Sequence, residues 1–137
     1  MKRSQVSLEY LIVLAVSFIM LIPGLYLVMN YARSSSGEIL GYQISQIGVS
    51  IVDTAQTVDG YGKDAVIVLE LEFPKGIRNM TIANNTYLMI DAHGIAGGQF
   101  FRSLVNITGT FTNDDFSAGR KKFRVESKGD YISITRV

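Results

Sequence analysis

The chain has 137 residues, a length that allows one small folded domain once any membrane segment is set aside. Its formal net charge is +1, with 18% charged and 47% hydrophobic residues, too little positive charge for a nucleic-acid partner. There is no cysteine, which excludes disulfides and thiolate metal sites.

The apolar excess is concentrated before Ala32, and the remainder has the composition of an ordinary soluble protein. Leu11–Tyr31 carries no charged residue, and its length matches the ~20 positions that a membrane-spanning helix needs. Pro23-Gly24 lies near its middle. Proline there removes one helical hydrogen bond and crowds the preceding turn, so a kink or local unwinding is expected around Met20–Gly24. Lys2 and Arg3 precede the segment. Basic flanks stay on the cytoplasmic side, which places Ala32 onward outside.

Three readings compete for this segment. A secretory signal peptide would share the basic start and apolar core, and Ala32-Arg33-Ser34 offers small residues for a cut. Against it stand a core longer than the usual ~7–15 residues and the position of Glu9 ahead of that core. A plain single-pass anchor explains length and topology but leaves Glu9 unexplained, since a carboxylate entering hydrocarbon is costly and usually has a partner or a function. The third reading accounts for the whole stretch Gln5-Val6-Ser7-Leu8-Glu9-Tyr10, in which three polar residues alternate with apolar ones directly before the greasy segment.

That box resembles the class III signal peptide of archaeal type IV pilin-like proteins, Gln-x-Ser-x-Glu followed by an aromatic residue. The resemblance covers about Lys2–Tyr31. It implies a prepilin peptidase that cuts between Ser4 and Gln5, reading Gln5, Ser7 and Glu9. Ser4 stands where the family commonly has glycine. The cut would leave a new amine on Gln5 and take the formal side-chain charge from +1 to −1, because Lys2 and Arg3 leave. The resemblance further implies assembly of identical subunits into a helical filament through the N-terminal helix, with Gln5 and Glu9 in subunit contact. An unpaired carboxylate in an apolar bundle is expensive, and a neighbouring subunit's amine would neutralise Glu9. An assembly ATPase and a membrane platform protein are the further partners that the resemblance implies.

Beyond Ala32, Arg33-Ser34-Ser35-Ser36-Gly37 could form a hinge. The periodic pattern resumes at once, however. Leu40, Ile44, Ile47, Ile51, Ala55 and Val58 recur at spacings of three or four and form one stripe of an amphipathic helix. A single helix from Gln5 to about Thr57, roughly 53 residues, would span about 80 Å at about 1.5 Å per residue. Gly41 and Gly48 lie near the stripe, where a small residue lets a sheet or a second helix approach, or only loosens packing within the subunit. Ser45, Gln46, Asp53 and Gln56 form the polar side, and Asp59-Gly60-Tyr61-Gly62 supplies the stop.

The rest reads as strands. Ile67, Leu69, Leu71 and Phe73 alternate with Val68, Glu70 and Glu72, and Pro74-Lys75-Gly76 turns the chain. Strands are expected over 78–83 and 86–90 around a tight Asn84-Asn85 turn, then over 99–105 and 107–112, whether separate or as one strand bent near Asn106. A polar loop from Asn113 through Gly119 follows. A hairpin of 121–127 and 131–136 closes the chain, with Phe123, Val125, Ile132 and Ile134 inward. The expected fold is α+β: a long N-terminal transmembrane and amphipathic helix, then a mostly antiparallel sheet of roughly five to seven strands packed on its exposed half. The expected boundaries are a leader over 1–4, an apolar helix over 5–31, its amphipathic continuation over 32–58 and a β-rich head over 59–137.

No catalytic chemistry emerges. His93 sits among glycines beside Asp91, and Asp114-Asp115 lacks the alternating oxygen ligands of a calcium loop. The glycine runs match no phosphate-binding signature, so neither enzyme activity nor a cofactor or metal is expected. Asn79-Met80-Thr81, Asn84-Asn85-Thr86 and Asn106-Ile107-Thr108 are acceptor triplets for N-glycosylation of an exported head, Asn84 at a hairpin tip being the best placed. The expectation is a filament subunit with surface for adhesion, located in the cell membrane before assembly and outside the cell afterwards. The alternatives are a membrane-anchored extracytoplasmic binding module, a minor pilin that does not polymerise, or an archaellum subunit.

Overall fold

The computed structural model describes the chain from residue 2 to residue 137, except for the side chains of residues 2–4 and 36. One helix, α1 (Lys2–Tyr61), is followed by seven strands: β1 (Val66–Phe73), β2 (Ile77–Ala83), β3 (Tyr87–Ala92), β4 (Gln99–Arg102), β5 (Ile107–Thr108), β6 (Gly119–Ser127) and β7 (Ile132–Arg136). The fold is therefore α+β, a long helix and a sheet domain. The chain divides into two compact units, Met1–Glu38 and Ile39–Val137, so the amphipathic half of α1 belongs to the same unit as the strands.

Helix α1 is unbroken across the serine-rich stretch, and no local unwinding occurs at Met20–Gly24. Pro23 lies inside it. The helix stops where the sequence supplies a glycine able to take the left-handed conformation: Gly62 has φ +94° and donates its N–H to the Asp59 carbonyl at 3.0 Å.

The strands form two sheets rather than one. The first has the order β1-β6-β7-β5 and the second β2-β3-β4. All pairings are antiparallel except β5 with β7, where Ile107 lies opposite Ile132. The chain passes between the sheets twice, at residues 74–76 between β1 and β2, and again at residues 103–106 between β4 and β5. There the Ser103 hydroxyl accepts the Val105 N–H at 3.2 Å, curling the backbone and ending the β4 ladder. The expected 99–105 strand accordingly ends at Arg102, and the expected 107–112 strand is two residues long. The Asn84-Asn85 turn forms as its residue types suggest, with φ +53° and +55° and the Thr86 N–H on the Ala83 carbonyl at 3.2 Å.

Both sheets turn their apolar faces to the stripe on α1. Ile44, Ile51, Ala55 and Val58 are fully buried, Ile47 nearly so, and Leu40 packs at the margin. They share one core with Met80, Leu88 and Ile90 of the second sheet and with Phe73, Phe123, Val125, Ile132 and Ile134 of the first. Phe123 is its centre, with Phe73 at 5.7 Å and Phe111 at 6.1 Å between ring centroids in tilted and edge-on geometry. Gly48 permits the closest approach. A Cβ there would lie 2.3 Å from the Phe101 ring, so β4 can seat on the helix only because the position is bare. The small residues on the stripe thus admit a sheet of the same subunit.

Candidate assembly segment and processing site

The N-terminal unit behaves oppositely to the core just described. Every described side chain from Gln5 to Ser34 is exposed, including Leu11, Ile19, Leu27 and Tyr31 at 62, 69, 66 and 76%. The stretch is helical, free of charge between Glu9 and Arg33, and long and apolar enough to cross a membrane. The hydroxyl of Ser17, the one serine between Glu9 and Arg33, donates to the Val13 carbonyl at 2.8 Å, so it carries no unmet hydrogen bond into an apolar surrounding. At Gly24 the missing side chain leaves a shallow apolar hollow edged by Met20, Leu21, Leu25 and Val28.

The polar box lies within the same helix. Successive residues turn by about 100°, so Gln5 and Glu9, four apart, share a face while Ser7 falls on the far side. The alternation that unites the three residues in the sequence is therefore divided in the helix. Gln5, Ser7 and Glu9 are exposed, and Glu9 makes no hydrogen bond or ion pair with any other described residue. The Ser4–Gln5 bond also lies in α1; the Ser4 side chain is outside the described residues.

The remaining sequence candidates are scattered over the head. Asn79 is exposed on β2, Asn84 at the β2–β3 turn and Asn106 between β4 and β5. In the Asn84 triplet the Thr86 hydroxyl is engaged with the Asn84 carbonyl at 3.0 Å. His93 is exposed and held only through its main chain, whose N–H donates to the Gly76 carbonyl at 2.8 Å. Asp114 and Asp115 part ways. Asp114 stays at the surface, whereas the Asp115 carboxylate accepts the Thr112 N–H at 2.7 Å, the Thr112 hydroxyl at 3.0 Å and the Arg136 guanidinium at 3.3 Å. Burial raises its pKa, but those bonds and the Arg136 charge together outweigh burial and hold it below its ordinary value. Asp115 thus ties the polar loop to β7. Among the described residues no group of three or more histidine and carboxylate side chains converges on a point where a metal could sit.

One grouping has no counterpart in the sequence reading. Asn85, Asn106, Thr108, Asp130 and Tyr131 come from three separate chain segments and meet around one depression. Each is an unremarkable turn or strand-end residue by itself, although Asn85, Asn106 and Thr108 belong to acceptor triplets. Comparison of the chain with protein-family models, with curated proteins and with solved structures finds no match.

Proposed function

We propose that this chain is a structural subunit of an archaeal type IV pilus-like surface filament, released from its leader by a prepilin peptidase and assembled through its N-terminal helix. The observation that carries the reading is the juxtaposition of the Gln5-x-Ser7-x-Glu9-Tyr10 box with a charge-free helical segment that is exposed along its whole length. Each large aliphatic side chain in it gains about 1.5–3 kcal/mol on leaving water. The folded head does not supply that cover, so a bilayer does so first and neighbouring helices afterwards. Between those two environments the van der Waals fit of helix on helix decides, and the hollow at Gly24 is a place for a neighbour's side chain.

Glu9 distinguishes this reading from a simple anchor. An anchor gains nothing from a carboxylate at the hydrocarbon boundary, whereas a subunit with a free amine on Gln5 can pair it with the Glu9 of its neighbour and so fix axial register. The β-rich head then forms the outer wall and the surface for adhesion. Extraction from the bilayer needs external work, which assigns roles to an assembly ATPase and a membrane platform protein.

The test is Glu9→Ala, followed in the host through two separate readouts. Leader removal should continue at near the native rate, while filament yield should fall at least tenfold. Filaments in native quantity from this variant would refute the register role and favour the anchored module.

A further inference from the structure

The depression at the β2–β3 turn has a volume of about 440 Å³ and is lined by Asn85, Asn106, Ile107, Thr108, Asp130 and Tyr131. Its backbone is pinned. The Ile107 N–H donates to the Asn85 carbonyl at 2.8 Å, the Ile132 N–H to the Asn106 carbonyl at 2.7 Å and the Lys128 N–H to the Tyr131 carbonyl at 2.9 Å. Three segments are thereby stitched together through main-chain atoms. The side chains of Asn85, Asn106, Thr108, Asp130 and Tyr131 make no hydrogen bond or ion pair with any described residue, in contrast to Asp115, whose carboxylate is fully engaged.

The chemistry of this lining narrows its ligand. No lysine or arginine takes part, which disfavours an anion, and the one fully buried apolar residue, Ile107, is too little for a hydrophobic ligand. Two carboxamides offer paired donors and acceptors, one carboxylate accepts, the Thr108 and Tyr131 hydroxyls do either, and Tyr131 is 45% exposed. The size falls within the range of about 300–1,000 Å³ that small-molecule sites occupy. Such a set suits a neutral polyhydroxylated ring, whose hydroxyls need donors and acceptors side by side and whose C–H face rests on an aromatic surface.

We propose that this depression binds a neutral sugar ring, with the Tyr131 ring against one face of the sugar and Asn85, Asn106 and Asp130 engaging its hydroxyls. The sugar can come from two sources. One is a foreign saccharide, which would make the depression an adhesive site; the other is the first residue of a glycan carried on Asn106, whose triplet Asn106-Ile107-Thr108 lines the depression. The inference concerns the head by itself and does not depend on polymerisation.

The test uses the full chain made in a host without N-glycosylation and kept in a detergent with no sugar head group. It is titrated with glucose, galactose, mannose, N-acetylglucosamine and their β-1,4-linked disaccharides by NMR. Binding of a free sugar is expected to shift resonances of Asn85, Thr108, Asp130 and Tyr131. It should weaken at least tenfold in Tyr131→Ala and at least threefold in Asn85→Ala, and stay unchanged in Tyr61→Ala, on the last helical turn. That outcome identifies a foreign saccharide as ligand. If no free sugar binds, chain from its natural host is analysed by glycopeptide mass spectrometry and by NMR contacts between the glycan and Tyr131. A glycan on Asn106 whose first sugar contacts the Tyr131 ring identifies the second source. Absence of both binding and a contacted Asn106 glycan overturns the proposal.

Discussion

Helix α1 contains two apolar stretches that meet opposite fates. Between Leu40 and Val58 the large apolar residues recur every three or four positions, and two sheets from the same chain remove Ile44, Ile51 and Val58 completely from water. Between Leu11 and Tyr31 apolar residues occupy every side of the helix, and Leu11, Ile19 and Leu27 remain more than half exposed. A one-sided stripe calls for one partner, which the chain supplies; an all-round apolar helix calls for cover on every side, which a single small head cannot give. Periodicity and apolar content together separate the part of the helix that the sheets cover from the part that stays exposed.

The largest effect that would break this contrast is Leu21→Glu. A carboxylate in the middle of the apolar segment should reduce both membrane retention and filament yield to near zero. The thermal unfolding of the head should move by less than about 4 °C, since surface changes remote from the core are worth within about 0.5 kcal/mol and about 1 kcal/mol shifts a domain of this size by about 4–8 °C. A large fall in head stability would show that the two units are not independent.

Phe123→Ala sharpens the comparison from the other side. Removing the ring at the centre of the core should cost about 3–5 kcal/mol in denaturant unfolding, while leader cleavage before Gln5 should continue. Gly48→Ala should cost about 1–3 kcal/mol, because the new methyl displaces the Phe101 ring. Gly60→Ala meets nothing within 4 Å and should instead stabilise by about 0.4–1 kcal/mol. The opposite signs of two Gly→Ala changes on one helix measure where the sheet covers it. Equal effects would contradict the close contact at Gly48.

The smallest expected effect concerns pH. Asp115 is held below its ordinary value of 3.8, so the unfolded chain binds the proton more readily than the folded one. Its contribution is complete above that ordinary value and is lost as pH falls through the lower, folded-state value. Asp115→Asn should therefore flatten the acid limb of the stability profile below about pH 4 and leave its slope near pH 7 unchanged.

Much of the fold was legible because its signals are local. The stripe from Leu40 to Val58, the stop at Gly62, the Asn84-Asn85 turn and the inward set Phe123, Val125, Ile132 and Ile134 all follow from periodicity or backbone preference over a few residues. Val52 was not anticipated: it lies at the flank of the stripe and is buried because two sheets, not one, cover the helix. The division into sheets escaped the sequence for the same reason. Pairing Val66 with Glu126 or Ile107 with Ile132 depends on which strands meet across long separations, and alternation fixes faces without fixing neighbours. The polar depression lay beyond local reading altogether, since Asn85, Asn106 and Tyr131 become neighbours only after both sheets form. The proposed assembly segment is the reverse case. Its box and apolar run are contiguous in the sequence, and the helix adds that Gln5 and Glu9 share a face.

The central claim is that the exposed N-terminal helix is a processed assembly element, and N-terminal mass spectrometry of protein sheared from the surface of native cells tests it most directly. The account predicts an abundant mature chain beginning at Gln5 in the sheared fraction. A chain beginning at Gln5 but retained in the membrane would uphold processing and reject polymerisation, while a start at Ser35 or an intact Met1 would contradict the account as a whole.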